Sequence, residues 1–129
     1  MTEEIQKWLD ALRSENYVQA SHYLKKDKNE YCCMGVLCEI YRKETGDGKW
    51  EPSDYSNEIF TFKTDDTVDS QVPPDKVWEW AGINPKRFVN GTEIRQILGD
   101  KNDNLEWPFY VIADYIEENL DKGYFIKTD

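Results

Sequence analysis

Tyr31-Cys32-Cys33-Met34-Gly35-Val36-Leu37-Cys38 holds all three cysteines of the chain and no charged residue, in a sequence of which 33% is Asp, Glu, Lys or Arg. A stretch so unlike its surroundings is either buried or does chemistry. Continued to Gly46, it sets Cys33, Val36, Leu37, Ile40 and Tyr41 along one helical stripe. Tyr31, Met34, Cys38 and Tyr41 form a second apolar line beside the first. Two such lines predict a helix covered on more than one side, the central helix of the fold, with Gly46 at the left-handed position that ends it.

The polar break Asp27-Lys28-Asn29-Glu30 precedes that helix, and a weaker pattern over Tyr17 to Lys26 reads as extended, including Ala20-Ser21-His22-Tyr23-Leu24. Before it, Ile5, Trp8, Leu9 and Leu12 fall at i, i+3, i+4 and i+7, with Thr2 as N-cap, Glu3 and Glu4 in the first turn and an end near Ser14. After it, the composition turns to Gly, Pro, Ser and Asp, and Ile59-Phe60-Thr61-Phe62 is the best strand, part of a short hairpin followed by a mobile acidic loop at Asp65, Asp66 and Asp69. Pro74 suits the first turn of a short helix carrying Val77, Trp78 and Ala81 and closed by Gly82. Ile83 to Asn104 is turn-rich with a strand expected at Ile94 to Leu98, and Asn90-Gly91-Thr92 reads as a turn. Pro108 opens a last helix with Phe109, Ile112, Ala113, Ile116 and Leu120 on one face, ended by Gly123, and Tyr124-Phe125-Ile126 reads as a terminal strand. Helical patterns separated by strand-poor, turn-rich segments predict an α+β fold, with about three main helices on a small antiparallel sheet in a single domain over 1–129.

Composition excludes several classes of function. Sixteen Lys and Arg against 26 Asp and Glu give a net charge of -10, which opposes general binding of nucleic-acid backbones. Aromatic residues at 14% argue against disorder. No apolar run approaches the roughly 20 residues that span a bilayer, and the start lacks the pattern of a signal peptide, so no membrane association and a cytoplasmic location are expected. Three clustered cysteines do not make a secreted disulfide framework.

The cysteines themselves are poor chemistry. On a regular helix Cys32 and Cys33 would point about 100° apart and Cys38 about 240° beyond Cys32, so the sulfurs do not converge on one metal ion. Adjacent α-carbons are too close for an unstrained Cys32–Cys33 bridge. An apolar octapeptide gives a thiolate nothing to lean on, which leaves buried small hydrophobes beside a tightly packed Gly35. Asp100-Lys101-Asn102-Asp103-Asn104 imitates the start of a calcium loop, but Leu105 and Val111 occupy the positions that need Gly and Glu, and a turn capping the last helix is the better reading. No metal and no cofactor is expected.

Arg13, Ser14, Tyr17, Gln19, His22, Lys25 and Lys26 gather cations and donors just ahead of the octapeptide in an otherwise anionic chain. Arg and Lys form charge-assisted hydrogen bonds with phosphoryl oxygens and Tyr or Trp stacks on a base, so this group is the candidate site for a small phosphate or nucleotide. The bland reading is a solvated rim with Arg13 paired to acids. Asp114, Glu117, Glu118 and Asp121 on one helix offer an alternative, an acidic face for a basic host protein.

Trp8-Leu9-Asp10-Ala11-Leu12-Arg13-Ser14, Tyr17, Gln19, the octapeptide, Pro74, Val77, Trp80-Ala81-Gly82 and the final Phe109, Ile112-Ala113-Asp114, Ile116-Glu117 together resemble a family of small accessory proteins carried by bacteriophages and prophages, with Met34 in place of an expected Leu. The resemblance implies a viral origin and expression inside a bacterium, and brings no catalytic residues. The expectation is a non-enzymatic protein that sequesters a nucleotide-like signal of bacterial immunity. An acidic inhibitor of a host protein is the alternative, and a small hydrolase or metal enzyme using His22 or Cys32 a third. A homo-oligomer is compatible with all of them.

Overall fold

The computed structural model describes residues 2–54, 56–65, 67–84, 88–89 and 91–122, with backbone only at 88–89. Helix α1 spans Glu3–Arg13. The Thr2 hydroxyl caps it, accepting from the Ile5 N–H at 3.1 Å while donating to the Ala81 carbonyl at 3.0 Å. Ile5, Trp8, Leu9 and Leu12 are its buried face.

Helix α2, Cys33–Thr45, is buried without interruption from Cys33 to Tyr41, as expected of a central element, and ends at Gly46 with φ 75°. Its octapeptide differs from the expectation at the start. Tyr31 lies in a strand, and Cys32 is the extended N-cap residue whose Sγ accepts the Gly35 N–H at 3.4 Å. The angular argument against metal binding therefore applies only to Cys33 and Cys38. Gly35 is indispensable to the packing, because a Cβ there would stand 1.8 Å from the Leu24 carbonyl oxygen.

Short strands β1 (Val18–Gln19), β2 (Lys25–Lys26) and β3 (Glu30–Tyr31) join β4 (Lys49–Ser53), β5 (Ser56–Lys63) and β6 (Val68–Asp69) in one sheet of order β1-β3-β2-β5-β4, with β6 beside β5. The hairpin expected around Phe60 is β4–β5. Ala20 to Leu24, expected as extended, bends over residues 21–24: the Ala20 N–H still donates to the Tyr31 carbonyl of β3, but the Ala20 carbonyl accepts from Asn102, the His22 N–H donates to Asp103 and the Leu24 N–H donates to the Ser70 carbonyl after β6. The sheet is mixed rather than antiparallel, since β1 runs parallel to β3. Asp69, expected in a mobile loop, belongs to β6 and accepts from the N–H groups of Gln71 and Val72; Asp66 is outside the described residues.

Helix α3, Asp75–Ala81, follows Pro74, which is its N-cap rather than part of its first turn, and closes at Gly82 with φ 82°. Strands β7 (Phe88–Val89) and β8 (Thr92–Glu93) form a hairpin turning at Gly91, with Asn90 outside the described residues. The strand expected at Ile94 to Leu98 is instead the start of helix α4, Ile94–Asp103. Ile94 and Leu98, one turn apart, are fully buried, and that contact with the core overrides the β-branched composition of the segment. Asp100 to Asp103 accordingly end α4 and do not cap the last helix. Helix α5, Phe109–Asp121, starts after Pro108 and lies against α1 and α4. Gly123 and Tyr124 to Ile126 are outside the described residues. The class is α+β, with α4 and the short α3 added to the three principal helices.

Candidate functional site

Asn102 organises the approach to the site. It is 1% exposed, and its Oδ1 accepts from Gln19 Nε2 and the Cys33 N–H, while its Nδ2 donates to the Ala20 carbonyl and to Asp103. One amide thus fixes the chain after β1 to the start of α2. From that anchor Leu24 passes over Gly35, and β2 carries Lys25 onto one face of the sheet. Successive side chains of a strand point to opposite faces, so Lys26 leaves in the other direction, over the Tyr23 ring at 5.6 Å.

Lys25 Nζ stands 5.4 Å from the Tyr31 ring, 5.4 Å from Trp50 and 5.1 Å from Phe60. Burial lowers its pKa, opposed by the charge of Glu39. Among the described residues it makes no ion pair, whereas Lys7, Arg13, Arg42, Lys49, Lys76, Arg95 and Lys122 each have a carboxylate partner. The rings hold the ammonium in place, each contact being worth about 0.5–2 kcal/mol, and leave its three N–H groups for another acceptor.

Glu39 sets the walls of this cluster. It is 7% exposed, projects from α2, and accepts from Arg42 Nε, from Trp50 Nε1 at 3.3 Å and from the Tyr31 hydroxyl at 3.3 Å. Burial pushes its carboxyl up, but the hydrogen bond and charge of Arg42, helped by Trp50, hold it below the usual range. Burial and the same carboxylate push the Tyr31 phenol well above its ordinary value. Tyr17 meets Tyr31 edge-on at 5.4 Å, and Lys43 reaches the Tyr17 ring at 5.7 Å and its hydroxyl at 3.4 Å. The face therefore gathers Lys25, Arg42 and Lys43 around Tyr17, Tyr31, Trp50 and Phe60, with Glu39 as the carboxylate bonded within it.

The candidates read from the sequence separate into several places. Tyr17 and Lys25 belong to this face. Arg13, Tyr17 and Gln19 line an adjoining groove of 350 Å³ together with Leu12, Glu15, Phe109 and Tyr110. Arg13 also pairs with Asp114 at 2.8 Å and Glu117 at 3.5 Å, as its bland reading anticipated. Ser14 only closes α1, donating to the Ala11 carbonyl. His22, with φ 73°, lies apart on the side of α4, where its N–H donates to Asp103. Of the acidic alternative, Asp114 and Glu117 are tied to Arg13 and Glu118 to Lys122, and Asp121 is exposed at the helix end. Arg42, Lys43, Trp50, Phe60 and Glu39 were not among the expected site residues. They come from α2, β4 and β5, distant in sequence, and the one signal for them was an acid within the otherwise apolar first nine residues of α2, Cys33 to Tyr41.

The three cysteines are buried, and burial raises their pKa values, for Cys32 to about 12. Thiolate chemistry at neutral pH is thereby disfavoured. Among the described residues no group of three or more His, Cys, Asp or Glu is placed to hold a metal ion, and no helix is long and apolar enough to cross a membrane. What the face presents is cations able to meet an anion and rings able to stack on a ring.

No curated protein and no solved structure matches the chain. The model of a domain of unknown function, DUF8296, matches residues 1–120, and the chain belongs to that family.

Proposed function

We propose that the protein is a stoichiometric binder of a small, anionic, ring-bearing ligand of the nucleotide class, taken on the face formed by Tyr17, Lys25, Tyr31, Arg42, Lys43, Trp50 and Phe60. The observation that carries this reading is Lys25, a partly desolvated ammonium enclosed by three rings and without a carboxylate partner among the described residues, in a chain of net charge -10. A phosphate accepts its free donors in a charge-assisted bond, and the half-buried Trp50, Phe60 and Tyr17 offer surfaces for stacking. Glu39 preorganises Trp50, Tyr31 and Arg42, which reduces what binding must order. The resemblance to bacteriophage accessory proteins supports the narrower form of the proposal, in which the ligand is an immune signal of a bacterial host and binding removes it.

The acidic-face alternative is weaker, because Arg13 and Lys122 already pair with three of its four carboxylates. A thermal-shift screen against mononucleotides, dinucleotides, cyclic nucleotides and ADP-ribose derivatives tests the proposal. At least one compound should raise the melting temperature of the wild type and lose that effect with Lys25→Ala. No shift with any of them ends the proposal, and a shift retained in Lys25→Ala moves the site elsewhere.

A further inference from the structure

Tyr17 belongs to two lobes at once. One edge faces Tyr31 and Lys43, on the cationic face, and the same residue lines the groove with Leu12, Arg13, Glu15, Phe109 and Tyr110. The lobes differ in charge. In the groove Arg13 is already matched by Asp114 and Glu117, and Glu15, which forms no ion pair among the described residues, adds a further acidic residue, so a phosphate is unwelcome there. A neutral ring with hydroxyl and amino donors fits instead, over the buried Leu12 and Phe109 and against Tyr110, which is 61% exposed. Glu15, one of the residues lining the groove, holds a left-handed backbone at φ 64°, a conformation that costs a non-glycine residue free energy.

Size supports the same division. At 350 Å³ the groove is at the lower end of small-molecule sites, enough for one nucleoside and too small for two. Beyond Tyr17, Lys43 and Lys25 offer charge, and beyond them Trp50 and Phe60 offer a second stacking surface.

We infer that the ligand is a dinucleotide-like molecule that straddles Tyr17, one nucleoside in the Arg13–Tyr110 groove, the linking phosphate on Lys43 and Lys25, and the second ring on Trp50 and Phe60. This rests on the function proposed above and names the class of ligand for the same site. A free dinucleotide and a dinucleotide step of a nucleic-acid strand share this chemistry, and the net charge of -10 favours the free one.

Calorimetric titration with AMP, GMP, the linear dinucleotides ApA and GpG, and a ten-nucleotide adenylate strand tests it. A dinucleotide should bind one-to-one and at least about tenfold tighter than its mononucleotide, roughly the worth of one stacked base. Tyr110→Ala, a change at an exposed side chain, should remove that advantage. Equal affinity for both lengths, or a dinucleotide affinity indifferent to Tyr110→Ala, overturns the two-lobed site while leaving the simpler binder standing. Binding of none of the probes overturns the two-lobed site, and the wider thermal-shift panel then decides the simpler binder. Tighter binding of the strand than of either dinucleotide overturns the assignment to a free ligand.

Discussion

Replacing Gly35 with alanine should cost more than a methyl group added to any other of the described glycines. The new Cβ would lie 1.8 Å from the Leu24 carbonyl oxygen and 2.7 Å from its carbonyl carbon. Both are backbone atoms, so no rotamer change relieves the overlap, and the chain must retreat by about 1.7 Å to reach ordinary contact. That retreat breaks the hydrogen bond from the Cys32 N–H to the same carbonyl, now 3.2 Å. Overpacking costs about 1–3 kcal/mol and a buried group left unsatisfied about 1–3 more, so the sum is about 2–6 kcal/mol. For a domain of this size that lowers the melting temperature by roughly 6–20 °C. Urea unfolding of Gly35→Ala beside Gly46→Ala provides the scale, since a Cβ at residue 46 meets nothing within 4 Å and suffers only its φ of 75°, about 1–2 kcal/mol. Because Leu24 adjoins Lys25, the surviving fold should also bind its ligand less well. A Gly35→Ala protein no less stable than Gly46→Ala would refute the close approach of α2 to the chain at Leu24.

Other consequences follow from the same packing. Asn102→Ala strands the Cys33 N–H and the Ala20 carbonyl and should destabilise by about 2–4 kcal/mol in denaturant melts, whereas Asn104→Ala, at an exposed position, should stay within about 0.5 kcal/mol. The three thiols should be inert to a thiol-reactive dye at pH 8 in the folded protein and fully reactive in urea; rapid labelling of the native state would contradict their burial. The folded Glu39 carboxyl titrates below its unfolded value, so its contribution is complete above about pH 5 and is lost as pH falls through the folded pKa. The stability difference between wild type and Glu39→Gln should therefore be flat from pH 5 to 8 and shrink toward pH 3; a difference that grows on acidification would reverse the sign of that shift.

Much of the architecture was legible in the sequence because single elements carry their own periodicity and caps. Thr2, Gly46, Gly82 and Pro108 bound helices where their chemistry says they should. Helix α4 was misread, although Ile94, Ile97 and Leu98 fall at i, i+3 and i+4, because the β-branched start and the Asp- and Asn-rich end weigh toward strand and turn. The parallel pairing of β1 with β3 was not legible, since two-residue strands carry no period. The site was half legible for a related reason. Tyr17 and Lys25 stand in one run of sequence, but Glu39, Arg42, Lys43, Trp50 and Phe60 join them only after α2 and the β4–β5 hairpin fold over β2. Conversely His22 and Lys26, within three positions of Lys25 in sequence, are sent elsewhere by a left-handed backbone and by the alternation of a strand.

The indole N–H signals of the five tryptophans, followed by nuclear magnetic resonance during titration with the tightest nucleotide, test the central claim most directly. Trp50, whose indole donates to Glu39 and whose ring faces Lys25, should shift in step with ligand and stop at one equivalent. Trp8 and Trp78, fully buried between α1 and α3, should stay in place. A titration that leaves Trp50 unmoved, or that moves Trp8 and Trp78 instead, would contradict the site.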